Sequence, residues 1–345
     1  MKKSYLPLAA TACLLLASCS QDELVQAPEQ PAIGFDTFVG KTTRADDATN
    51  TNLRRMSVYG YIGGDTPAKI FDGTLVSRTD QAAEWTYTPL QYWTAGKNYF
   101  FTAISSPATQ GNNHFSYTWS NTLPSATAGF NGTGTISFNN AAAGGNEDVV
   151  YASATMTTAD PLTTSPGKVG FLFKHALSRV KFTFNNQMGS SAYTIKVYNL
   201  TINNATSTAD LVLGDQNPAW SNHANTTVLT LRDNLFDPQT QTAANNASVA
   251  SGTKFVIPGT LTFNITFSVD LILNGTTLAT YNHVAQALPE TTFQNGHSYN
   301  FVASLTPDNI DPDNEMFPIE FTVTDVEGWE EDPDITVTMP DTTQP

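Results

Sequence analysis

Apolar and polar residues alternate along most of this chain. Ile33-Gly34-Phe35-Asp36-Thr37-Phe38-Val39 predicts a short strand, and Met56, Val58, Gly60 and Ile62 alternate with Ser57, Tyr59 and Tyr61 as a second. Tyr99-Phe100-Phe101-Thr102-Ala103-Ile104 is apolar on both faces, which predicts a central strand covered from two sides. Further strands are expected at 171–173, 180–184 and 193–197. The longest alternation lies at 261–273, where Leu261, Phe263, Ile265, Phe267, Val269, Leu271 and Leu273 share one face and only Ile272 breaks the polar one. At about 3.3 Å per residue it predicts one strand near 43 Å long. Asn274-Gly275 supplies the positive φ angles of a two-residue hairpin turn, with Leu278-Ala279-Thr280-Tyr281 returning. A 3.6-residue apolar period is nowhere sustained, and a single helical turn near Asn140–Gly145 is the most the pattern allows. The reading is all-β, with antiparallel sheets that each keep one dry face.

The first residues follow a different rule. Lys2 and Lys3 precede an apolar run from Leu6 to Ala17 that closes on Leu16-Ala17-Ser18-Cys19. This is the layout of a secretory signal, and the run is shorter than the roughly 20 residues a membrane span needs. The final four residues resemble a lipobox, in which the cysteine thiol carries the lipid. Residues 1–18 are therefore expected to be a signal peptide, with Cys19 as the lipidated residue. Cys13 leaves with the signal. The mature chain then has no free thiol, which excludes disulfides, cysteine–zinc sites and cysteine nucleophiles. Residues 20–32 form a polar tether. Its start, Ser20-Gln21-Asp22-Glu23, resembles the acidic signals that send lipoproteins to the outer face of the outer membrane, and reads equally as a solvated spacer. Residues 41–50 form a loop by composition. A Thr/Ser/Pro-rich stretch at 157–170 marks a domain boundary, and an acidic linker at 306–315 precedes candidate strands at 317–323 and 335–339.

Composition narrows the chemistry. The formal net charge is −15 and only 14% of residues are charged, so the surface is polar through Thr, Asn, Ser and Gln. Phosphate binding needs a basic face, which argues against a nucleic-acid partner. The five histidines, His114, His175, His223, His283 and His297, are scattered without metal-ligand spacing, and no nucleophile elbow or phosphate-binding loop is present. His175 reads as a half-buried strand residue with a satisfied ring nitrogen. Asp308, Asp311, Asp313 and Glu315 are oxygen ligands of the kind calcium takes, but they lack the glycine spacing of an EF-hand and read as a solvated linker. The sequence thus points to no catalytic residue, no metal site and no cofactor. Trp85, Trp93, Trp119, Trp220 and Trp329 read as core or half-core residues, with a sugar-stacking platform as the alternative.

One ordered set of segments is characteristic. The lipobox at Cys19 is followed by the strand at 33–39, Thr43-Arg44-Ala45, Trp85-Thr86-Tyr87-Thr88-Pro89, Tyr92-Trp93, Phe173 to Phe182, Phe255-Val256-Ile257-Pro258 and Gly328-Trp329. In this order and spacing the chain resembles the Mfa-like fimbrillins, subunits of type V pili. The resemblance implies two tandem transthyretin-like antiparallel β-sandwich domains, here 45–168 and 169–345, after a lipidated propeptide at 19–44. It implies export to the cell outer membrane through the lipid on Cys19 and cleavage of the Arg44–Ala45 bond by an arginine-specific protease. Release of the first strand would then open a groove. A neighbouring subunit would fill it with a C-terminal strand, for which Ile335, Val337 and Met339 are the candidates. The implied partners are other pilus subunits and an unidentified surface ligand. A permanently anchored surface lipoprotein that binds glycans is the alternative.

Overall fold

The structure is a computed structural model that describes residues 30–39, 48–49, 52–64, 67–106, 114–120, 122–123, 130–214, 217–231, 242–314 and 318–328. The strands in chain order are β1 (Gly34–Val39), β2 (Arg55–Ile62), β3 (Ala68–Ser77), β4 (Asn98–Ser105), β5 (Phe115–Thr118), β6 (Gly134–Asn139), β7 (Val150–Thr157), β8 (Lys168–His175), β9 (Ser178–Asn186) and β10 (Tyr193–Leu213). They continue as β11 (Ala219–Thr230), β12 (Ala243–Ala244), β13 (Ser248–Ala250), β14 (Lys254–Val256), β15 (Gly259–Leu261), β16 (Asn264–Leu273), β17 (Thr276–Ala287), β18 (Thr291–Phe293), β19 (His297–Leu305) and β20 (Phe321–Gly328). One short helix, α1 (Asn140–Ala143), falls where the single turn was expected; the Asn139 side chain caps its start and Gly144 ends it in the left-handed region.

The first sheet runs β1-β8-β7-β4-β2-β3, the second β17-β16-β10-β6-β5 with β11 and β12 also on β10, and the third β13-β9-β19-β20 with β14 on β9. A two-stranded ladder, β15-β18, completes the set. Pairing is antiparallel except for β1 with β8 and β9 with β19. Three apolar cores result. One face of the first sheet packs Phe35, Met56, Val58, Phe71, Phe101 and Phe171 beneath Trp85, Tyr87 and Trp93 from the 78–97 connection. The other face presents Ile104 and Tyr151 to Ile136, Phe138, Leu211 and Leu213 of the second sheet. The third core joins the second and third sheets through Phe182, Phe184, Phe267, Phe301 and Phe321. Strand β4 lies between the first two cores, as its two-faced apolar pattern predicts.

Two strands depart from expectation. The alternation read at 193–197 continues through twenty-one residues of β10, whose inward row passes from Ile195 and Val197 in the third core to Ala209, Leu211 and Leu213 in the second. The inward residues at the crossing, Ala205, Ser207 and Ala209, are small. Between Ile202 and Leu211 the row therefore lacks the large apolar side chains that mark a strand in sequence. The expected single strand at 261–273 is instead two, β15 and β16, separated at Thr262-Phe263. The Asn204 side chain holds the break open: its amide donates to the Thr262 carbonyl at 2.8 Å and its oxygen accepts the Asn264 N–H at 2.7 Å. Periodicity continues through a break of this kind because the inward row, Phe263, Ile265, Phe267, Val269 and Leu271, stays buried.

The Asn274-Gly275 turn joins β16 to β17 with φ of 49° and 85°. A Cβ on Gly275 would meet nothing within 4 Å, so the strain of Gly275→Ala is purely of the backbone. The substitution is expected to lower stability by about 1 kcal/mol, read as a shift in the urea midpoint at constant slope.

Candidate functional site

The first strand is seated through three kinds of contact. Its backbone pairs in parallel with β8, from Gly34 opposite Lys168 to Val39 opposite Phe173. Upstream, the Ile33 N–H donates to the Gln91 carbonyl at 2.8 Å, the Trp93 N–H donates to the Pro31 carbonyl at 3.0 Å, and the Tyr87 hydroxyl donates to the Ile33 carbonyl at 2.7 Å. Side chains at 33, 35, 37 and 39 point inward and are buried, while 36 and 38 face out.

Phe35 is the centre of this row. Its ring lies 5.5 Å from Phe71, 5.6 Å from Tyr87, 6.2 Å from Phe101 and 5.7 Å from Phe171, edge-on to the first three and stacked on the last. Gly60 makes room for this floor, since a Cβ there would stand 2.8 Å from Phe101 and 3.2 Å from Phe71. At the solvent edge Lys168 reaches Glu84 at 2.5 Å and Asp36 at 3.6 Å. The Glu84 hydrogen bond, and then Asp36, hold its amine above the usual lysine range against the opposing effect of burial. Both carboxylates are exposed, so this network aligns β1 on β8 more than it stabilises it.

Ala48 is fully buried and donates its N–H to Asp148 at 2.7 Å. His175 Nδ1 lies 2.9 Å from the same carboxylate oxygen. His175 is two residues beyond Phe173, the partner of Val39, so Val39 and Ala48 both lie near the same end of β8. The expected half-burial of His175 is exceeded: it is 4% exposed and Asp148, its partner, 0%. Sequence reading passed over Asp148; the one available signal was an acidic pair, Glu147-Asp148, set directly against the apolar start of β7.

Cys19, Arg44, Ala45, Ile335, Val337 and Met339 lie outside the described residues. Of the tryptophans, Trp93 is fully buried and Trp85 is 8% exposed beneath the Arg78 guanidinium at 4.5 Å, while Trp119 and Trp220 are half-buried. Of the aromatic residues at 85–93, Trp85, Tyr87 and Trp93 are buried and Tyr92 is exposed. In the acidic linker the Asp311 carboxylate accepts from the Asp313 N–H and the Asn314 side chain, each at 3.0 Å. These bonds, Asn314 first, hold it below the usual carboxylate range. Among the described residues no three of His, Cys, Asp or Glu converge as metal ligands, and no helix is long and apolar enough to cross a membrane.

The molecule is all-β, and its first strand lies at the edge of a sheet. The model of the fimbrillin-like family matches residues 43–343, and the chain belongs to that family. A fimbrial protein from Bacteroides vulgatus shares the fold, with a TM-score of 0.60 and 15% identity over 87% of this chain and 99% of that one. The fimbrial anchor protein Mfa2 from Porphyromonas gingivalis aligns over 86% of this chain and 97% of its own at 10% identity, with a TM-score of 0.33. No curated protein matches.

Proposed function

We propose that this chain is a structural subunit of a type V surface pilus, without catalytic activity, that serves adhesion. It is exported as a lipoprotein through Cys19, cut by an arginine-specific protease between Arg44 and Ala45, and polymerised by strand exchange with other pilus subunits. The division into sandwich domains at 45–168 and 169–345 is part of the same reading. Membership of the fimbrillin-like family supports the general role. The observation that supports the mechanism is the seat of β1: it supplies an inward row to a core yet is tied to the body along one strand edge, so its loss leaves an apolar groove and unpaired backbone groups. A strand from the neighbouring subunit, of which 335–339 is this chain's candidate, refills such a groove.

Two of the described arginines are held in place by the fold. Arg179 is 5% exposed within β9, and Arg78 donates to the Leu53 and Gln81 carbonyls and lies over Trp85. Mass spectrometry of the N-terminus of protein recovered from the cell surface tests the reading. The expected chain begins at Ala45, and Arg44→Ala keeps it at lipidated Cys19. A wild-type surface protein that begins at Cys19 would sink strand exchange and leave a permanently anchored lipoprotein.

A further inference from the structure

The inward row of β1 is not uniformly well matched to its seat. Phe35 fits an aromatic cage of four rings, and Ile33 and Val39 are buried and apolar. Thr37, between Phe35 and Val39 on the same row, is 8% exposed, and its hydroxyl finds no hydrogen-bond partner. A buried hydroxyl without a partner loses its water and gains nothing in return, whereas an apolar side chain of the same shape carries no such cost. The native strand is thus strong at position 35 and weak at position 37.

We propose that the strand that replaces β1 comes from another pilus subunit, keeps a large aromatic side chain at the Phe35 position and carries an aliphatic side chain at the Thr37 position. This rests on the strand-exchange reading and names the chemistry of its partner. Thr37 makes β1 a placeholder: it holds the fold while covalently attached, and once cut it is outcompeted by a strand of the same alternation without the orphaned hydroxyl. Laid in the direction of β1, the chain's own Ile335-Thr336-Val337-Thr338-Met339 puts Val337 at position 37 and Ile335 in the aromatic cage; laid in the opposite direction it puts Met339 there. It meets the second requirement and not the first, so the groove of this subunit favours a strand of a different subunit over that of a second copy.

The test uses the full-length chain with a site-specific endoprotease sequence in place of residues 41–46, so that cutting does not depend on Arg44. The cut protein is challenged with fluorescent peptides spanning residues 30–40 in the native sequence and with Thr37→Val or Phe35→Ala, and with a peptide spanning 331–341. Bound peptide is read by anisotropy and native mass spectrometry. The expected order is Thr37→Val tighter than native by about fivefold or more, and Phe35→Ala weaker than native by about 100-fold or more. The 331–341 peptide is expected to bind less tightly than the Thr37→Val peptide. In the uncut chain Thr37→Val raises the unfolding midpoint. A Thr37→Val peptide no tighter than native, a Phe35→Ala peptide as tight as native, a 331–341 peptide tighter than both, or a β1 that no peptide displaces would each overturn the proposal. An unchanged midpoint in the uncut Thr37→Val chain would do the same. A native N-terminus at Cys19 would remove the strand-exchange reading while leaving these affinities as measured.

Discussion

Phe35→Ala lowers the stability of the full-length chain by about 3–5 kcal/mol, the usual cost of deleting a buried phenylalanine and leaving part of its volume empty. The cost falls at the upper part of that range because the site cannot collapse. Phe71, Tyr87, Phe101 and Phe171 approach Phe35 from three strands and a connection, each fixed by its own ladder or by hydrogen bonds. Phe38→Ala is the control. Phe38 sits three residues away on the outward row and is 37% exposed, so its loss stays within about 1 kcal/mol. Urea unfolding of the two variants, compared at equal slope, gives the difference directly. Equal losses at 35 and 38 would mean that β1 adds little to the core, and the groove argument would fail with it.

Asp148→Ala is expected to cost about 3 kcal/mol or more. The substitution leaves two buried donors, the Ala48 amide and the His175 ring nitrogen, without the acceptor they share. Each buried donor that loses its acceptor costs about 1–3 kcal/mol. Asp148→Asn keeps one carbonyl oxygen in the same place and loses less. The second consequence is local. Asp148 is the residue that accepts the buried Ala48 amide. In the Ala variant, limited proteolysis is expected to trim the chain inward from residue 48, whereas in the native protein trimming stops there. A wild-type trimming pattern in Asp148→Ala would show that Ala48, fully buried like Leu53, is held in place without this carboxylate.

Much of the fold was legible from local pattern. The all-β class, the first strand at 33–39, the two-faced β4, the Asn274-Gly275 hairpin and the single turn of α1 each follow from which side chains neighbour one another along a pleated backbone. That information is in the sequence because period-2 burial and positive-φ turn residues are local properties. The inward row of β1 belongs to the same class: Ile33, Phe35 and Val39 announce themselves by alternation. The functional reading came from the order of short segments, which a family resemblance could register without knowing any contact.

Tertiary structure decided what no window along the chain contains. Nothing near residue 36 specifies that β1 pairs in parallel with a strand more than 130 residues later, or that four aromatic rings from four segments meet around Phe35. β10 was under-read because a strand that changes cores halfway needs small inward residues at the crossing, and Ala205, Ser207 and Ala209 look like loop composition. The strand expected at 261–273 broke because Asn204, distant in sequence, takes over two of its backbone groups. Asp148 was invisible because a single carboxylate acquires its role only when the fold brings the Ala48 amide and the His175 ring to it. The sequence alone determined which residues face inward; long-range pairing determined what they face, because the partners of a buried side chain are set by sheet order and register, not by its neighbours in the chain.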